Sequence, residues 1–239
     1  MRYPGAMAQI LSTHADPVAA AAQQLISTGV SLIPSFDLTR SLGAGREIWT
    51  RFGRHWENLA PDPYAAEPGV QRLRRYGQYS FRDGVARRMP TRAFAQPDDP
   101  LTDAFAEDPV LHGLMKLLGR MAAALDEVAE WNVKVYPFRI RSLADDSGTA
   151  EGRPTPEGMH RDGVTLVSSL LVGRRNAIGG ESSVCDRSGR RLLSAMLAEP
   201  GTWLLSDDRR TLHGVTPVRP IDGFGPAQRD VLVVTFASR

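Results

Sequence analysis

Apolar positions along the chain follow two different periods. In the first half they recur every three to four residues, as on one face of a helix. Asp16-Pro17 supplies an N-cap and a first-turn proline, an Ala-rich run follows to Ser27, and Gly29 closes the element. Ile48, Trp49, Phe52, Trp56 and Leu59 put one apolar face on a second helix from about Ser41 to Leu59. Asp108-Pro109 repeats the cap signal, and Val110, Leu114, Leu117, Leu118, Met121, Leu125 and Val128 form the broad stripe of a third helix. Between the second and third, residues 71–81 alternate as a strand does.

From Asn132 the period shortens to two. NVKVYPFRIR, VTLVSSLLVG, SSVCD, TWLLSD and RDVLVVTF read as short strands, separated by Gly, Pro and Asp clusters. The intervening loop 143–157 is long, polar and rich in Pro and Gly, the make-up of a mobile or functional loop. Helices first and many short strands after them predict an α+β fold: a jelly-roll core (a double-stranded β-helix, cupin-like) with flanking N-terminal helices. No linker divides the chain, so one domain is expected over 1–239, helical to about 130 and jelly roll from about 131.

Composition narrows the class without naming a function. The net charge of +2 is too small to argue for a polyanionic partner. The basic residues are nonetheless lopsided, 27 arginines against 2 lysines. That bias suits bidentate grip on carboxylates or phosphates, and it equally suits a coding sequence that favours Arg codons. Cys185 is the single cysteine, which rules out an internal disulfide and makes a reducing cytoplasm the expected compartment. Cys185 itself reads as packing on a strand rather than as a nucleophile. No apolar run reaches ~18 residues, and the N-terminus lacks the charged-then-apolar layout of a secretory signal. Neither a P-loop, a G-x-S-x-G elbow nor a complete G-x-G-x-x-G is present.

The chemistry concentrates late in the chain. In PEGMHRDG, His160 and Asp162 stand two apart where a strand is expected to begin, so imidazole and carboxylate can share a face. Two imidazoles and one carboxylate on one face of an octahedron leave three positions open, the pattern of oxygen-activating Fe(II). His213, in SDDRRTLHGVTPV, is the candidate second histidine; His14, His55 and His112 fall in a terminal segment or in helices. Arg229 opens RDVLVVTF, where burial would require an anionic partner such as a dicarboxylate. On its own residues it is also compatible with an ordinary strand-edge arginine.

Four blocks in order, PEGMHRDG, RRNAIGGESSVCD, LLSDDRRTLHGVTPV and RDVLVVTF, resemble a bacterial 2-oxoglutarate/Fe(II) oxygenase family that includes free amino-acid hydroxylases of the isoleucine dioxygenase type. The resemblance covers about residues 130–237 and thins upstream, through RLRRYGQYSF and FAQPDD. It implies His160, Asp162 and His213 as iron ligands and Arg229 as the clamp for the distal carboxylate of 2-oxoglutarate. It also implies Fe(II), 2-oxoglutarate and O2 as the reagents, succinate and CO2 as by-products, and a small-molecule substrate, an amino acid or close derivative. One departure is Val231, where many relatives carry Ser or Thr two residues after this arginine. For the substrate, Arg139 and Arg141 share a face of NVKVYPFRIR and suit a carboxylate, with Arg139 favoured by the resemblance. A pair of solvated outer-face arginines is the alternative. Glu181 could receive an ammonium, support a ligating histidine, or simply face solvent. RLRRYGQYSFRDGVARR combines Arg with Tyr and Phe as single-strand binders do, but reads better as a strand with an apolar side and an Arg-rich solvent side. The other readings are a jelly roll that binds metal without oxygenase activity, and an oxygenase acting on nucleic acid or protein.

Overall fold

The computed structural model describes residues 16–64, 70–90, 99–142, 151–222 and 225–239. Five helices, α1 Pro17–Thr28, α2 Ser35–Ser41, α3 Glu47–Phe52, α4 Asp103–Ala106 and α5 Pro109–Leu125, lie in the first half. The strands are β1 Val30–Ile33, β2 Ala60–Pro61, β3 Val70–Arg74, β4 Gly77–Arg82, β5 Val85–Arg88, β6 Trp131–Ser142 and β7 Leu166–Arg175. They continue with β8 Ala177–Gly179, β9 Glu181–Asp186, β10 Arg191–Met196, β11 Trp203–Asp207, β12 Thr211–Val215, β13 Val218–Pro220 and β14 Ala227–Ser238.

Local signals act as expected at both capped helices. The carboxylates of Asp16 and Asp108 accept the amide protons of Val18 and Val110, and Gly29 ends α1 at φ 83°, where a side chain would be strained. The second helix differs from the expectation of Ser41–Leu59. Pro34 starts it early, Gly43 (φ 64°) and Gly45 interrupt it, and it resumes as α3 followed by a 3-10 turn, Gly53–Asn58. The segment 71–81 forms two strands, β3 and β4, both antiparallel to β6. Tyr79 and Phe81 are inside the core, so the aromatic residues of that stretch offer no face to a nucleic acid strand.

The large sheet has nine strands, in the order β1-β11-β7-β14-β6-β3-β2, with β4 and β5 attached beside β6. A three-stranded sheet, β10-β9-β12, packs over its other face. Alternation sorts the sides. Val133 and Val135 of β6, Leu232, Val234 and Phe236 of β14, and Leu166 and Leu170 of β7 meet the helices in one buried cluster. Leu171, Leu204 and Val231 point the opposite way and meet Val184 of the small sheet. The site lies on that second side, between the sheets.

Much of loop 143–157 lies outside the described residues, as does most of FAQPDD and His14. What is described of the loop is tied down: Gly152 pairs with Val218, and the Thr155 hydroxyl accepts the amide proton of Val215 at 2.9 Å. No helix among the described residues is long and apolar enough to cross a membrane.

Candidate active site

His160 and Asp162 do not sit on a regular strand, because β7 begins only at Leu166. Instead His160 makes an isolated antiparallel bridge to His213 of β12, with both amide-to-carbonyl bonds at 2.9 Å. The bridge places the two imidazoles side by side, ring centroids 4.4 Å apart. Asp162 lies within reach of both, and just after it the chain turns through Gly163 at φ 73°. His160 Nε2 and His213 Nε2 are each 3.8 Å from an oxygen of Asp162, and the donor atoms all fall within 4.8 Å of one another.

That spacing suits one metal ion. Bonds of ~2.0–2.2 Å put neighbouring ligand atoms about 3 Å apart, so a small closure of three side chains completes the coordination. The imidazole of His160 is oriented for it, since Nδ1 lies 3.0 Å from the Gly158 carbonyl and donates there, so that the Nε2 lone pair, with a Glu157 oxygen 3.2 Å away, is the one turned to a metal. Burial, offset by the two histidines, holds the Asp162 carboxyl above the usual carboxylate range; burial likewise holds His213 below the ordinary imidazole value. A cation in their midst would offset the burial penalty on Asp162.

Asp208 was not singled out by the sequence, although it stands in the SDDRR run. Its carboxylate is completely buried and accepts the amide protons of Asp162 (3.2 Å), Gly163 (2.7 Å) and Val164 (3.0 Å). One of its oxygens lies 3.8 Å from His213 Nδ1, a nitrogen with no other partner among the described residues. Asp208 thus fixes the turn that carries Asp162 and places a carboxylate near the second imidazole, short of a hydrogen bond. Nothing local in the sequence separates it from Asp207, whose carboxylate instead binds Arg209 and Arg210.

A cavity of about 400 Å³ opens from these three residues. Arg229 lines it as well, 3% exposed, with Nε and Nη2 unpartnered among the described residues. Burial, reinforced by neighbouring Arg174, pushes its pKa down to about 10. Arg174 pairs with it across β7 and β14 and has a buried, unpartnered Nη1 of its own. A buried guanidinium without an acceptor is costly. A carboxylate beside it in the cavity satisfies it, so the residues present fit a dicarboxylate as well as a metal. Val231 lines the same wall and offers no hydroxyl to help.

The other expected contacts lie elsewhere. On β6 the even residues Lys134, Tyr136, Phe138 and Ile140 face the cavity, so Arg139 and Arg141 point to the opposite side. Arg139 is locked there by Asp230 (2.8 and 2.9 Å) and Glu57 (2.9 Å), and Arg141 reaches towards Gln71. Neither lines the cavity, which corrects their expected role as substrate contacts. Glu181 does not line it either; it accepts a hydrogen bond from Ser194 at 2.6 Å on the small sheet. Cys185 is half-buried on the same strand. His55 and His112 are occupied by Asp108 and by the Ala106 carbonyl.

The model of the 2OG-Fe dioxygenase family matches residues 53–235. The chain belongs to that family. This dioxygenase uses Fe(II), 2-oxoglutarate and O2. It is 31% identical to a bsmA homolog from Methylobium petroleophilum PM1, whose crystal structure superposes with a TM-score of 0.80 over 92% of this chain and 93% of that one. The fold is shared with IDO from Bacillus thuringiensis (17% identity, TM-score 0.75, covering 100% of this chain and 99% of that one). It is shared as well with the Fe(II)/α-ketoglutarate-dependent dioxygenase TqaL (19% identity, TM-score 0.77, covering 92% and 87%). No curated protein matches the sequence.

Proposed function

We propose that this dioxygenase hydroxylates an aliphatic C–H bond of a small carboxylic acid, a free L-amino acid or close derivative. His160, Asp162 and His213 hold the iron, and Arg229 holds the distal carboxylate of 2-oxoglutarate. The observation that carries the reading is one cavity lined both by three convergent metal donors and by a buried arginine whose Nε and Nη2 have no partner among the described residues. When bound, iron and 2-oxoglutarate supply the oxidation, in which O2 yields a hydroxylated product, succinate and CO2.

The chain's own residues do the positioning. Gly158 sets the tautomer of His160, and Asp208 holds the turn that aims Asp162. Val164, Val215 and Val233 line the cavity with apolar surface, which limits water around the reacting atoms. At about 400 Å³ the cavity is towards the small end for ligand sites, matching a keto acid with one small substrate. The amino-acid reading rests on this size and on the resemblance of the four sequence blocks.

Succinate formation measured with iron, ascorbate and 2-oxoglutarate across the L-amino acids tests it. At least one amino acid should stimulate turnover, and His213→Ala should abolish iron binding and succinate together. A panel without any stimulation removes the amino-acid substrate. A His213→Ala protein that still binds iron and turns over removes the site.

A further inference from the structure

With Arg139 and Arg141 turned away, the cavity still has a cationic wall. It comes from the basic stretch whose arginines were expected in solvent. Arg72 and Arg74 of β3 both line the cavity, their side chains only 16% and 11% exposed. Their Nε atoms lie 2.7 and 3.2 Å from the oxygens of Asp62, a carboxylate with no exposed side-chain surface. Asp62 is itself fixed by the amide proton of Tyr64, at 3.0 Å. Arg72 lies over the ring of Phe138 at 5.1 Å, and Arg74 over Tyr64 at 4.7 Å.

Each contact limits the freedom of a long side chain before any ligand arrives, so less entropy remains to be lost on binding. At Arg72 the contact with Asp62 is an ion pair at Nε, one of the five N–H donors that a guanidinium carries. Among the described residues the acidic side chains lining the cavity are Glu157 and Asp162, and Glu157 lies 3.2 Å from His160 Nε2. The register separates this wall from the co-substrate clamp. Arg72 pairs with Ile140, and Ile140 with Arg229, so two strand spacings, about 10 Å, lie between the two arginines. One dicarboxylate held at Arg229 and directed towards the metal leaves Arg72 for a second anion.

We propose that Arg72, seconded by Arg74, receives the carboxylate of the substrate, whose hydrocarbon part lies along Phe138 and Tyr136 towards the metal ligands. This rests on the reading of the cavity as the site of a small carboxylic acid.

The test uses the full chain loaded anaerobically with Mn(II) and 2-oxoglutarate. Two sets of probes, the L-amino acids and the aliphatic monocarboxylates from butanoate to octanoate, are titrated calorimetrically, each acid beside its primary amide. At least one acid should bind, and its amide should bind about 10- to 100-fold more weakly, as expected for loss of a charge-assisted hydrogen bond. Arg72→Gln combined with Asp62→Asn removes one buried charge of each sign, which preserves the balance of the wall. It should erase the preference for acid over amide while the affinity for 2-oxoglutarate stays within about threefold, a difference below 1 kcal/mol. Arg72→Lys should keep part of the preference.

Acids and amides that bind alike, a double variant that keeps the preference, no binding in either set, or a parallel loss of 2-oxoglutarate affinity would each overturn the assignment. Binding by simple carboxylates but by no amino acid would leave Arg72 in place and remove the amino-acid substrate. Turnover with an amino acid that Arg72→Gln leaves undisturbed would do the reverse.

Discussion

Arg229 illustrates how a single residue trades stability for binding. A fully buried cation without an acceptor costs several kcal/mol in principle, and its depressed pKa of about 10 reports the same penalty. Arg229→Met should therefore leave the ligand-free protein as stable as the wild type, or about 1–4 kcal/mol more stable, in urea unfolding. With a divalent metal present, 2-oxoglutarate at a hundredfold excess over its Kd should stabilise the wild type by about 2.7 kcal/mol and the variant by almost nothing. A variant that unfolds readily yet still responds to 2-oxoglutarate contradicts the clamp. Asp162 makes a parallel case with pH as the variable. Burial raises its folded-state pKa above the ordinary 3.8, so in metal-free protein its ionisation opposes folding at neutral pH. Asp162→Asn should then melt higher than wild type at pH 7 with metal chelated. The advantage should shrink as pH falls through the raised pKa and vanish below 3.8, where the carboxyl is protonated folded or unfolded. Adding metal at pH 7 should stabilise the wild type only.

At the scale of elements, helix α5 and the turn after His160 are each seated by close contacts. Gly119 of α5 leaves no room for a side chain, because a methyl group there would overlap the Phe81 ring of β4. Helix propensity alone would favour Gly119→Ala by ~1 kcal/mol. Overpacking costs ~1–3 kcal/mol and should win, lowering stability in denaturant titration; Phe81→Leu in the same chain should recover most of the loss. If Gly119→Ala is stabilising, the helix has more freedom against the sheet than its packing implies. Asp208 plays the corresponding part for the turn, with three backbone amides on one carboxylate. Asp208→Asn loosens the turn that aims Asp162 and should weaken metal binding about 10- to 100-fold, as changes to outer-shell partners do, with the sheet intact by circular dichroism. Unchanged metal affinity would assign Asp208 to folding alone.

Across the whole molecule, the features legible in the chain were those set by short-range spacing, though not all of them, since the helix expected over Ser41–Leu59 breaks at Gly43 and Gly45. Asp16-Pro17 and Asp108-Pro109 began helices because the cap hydrogen bond spans two residues, and alternation marked β6, β7 and β14 because side-chain direction reverses at each residue. Four ordered blocks were enough to suggest the oxygenase family that the comparisons then showed, and His160, Asp162, His213 and Arg229 all line one cavity. Alternation did place Arg139 and Arg141 on one face together. Which face that is depended on packing, because each side of β6 is buried against something, helices on one side and the cavity on the other. Period two gives no absolute direction, so Arg139 went to Asp230 and Glu57. The same ambiguity hid Arg72 and Arg74, which resemble solvated arginines until β3 is paired to the edge of β6. Asp208 and Asp62 were equally invisible. A buried carboxylate is defined by the amides and guanidinium groups that surround it, and those come from segments the chain brings together only on folding.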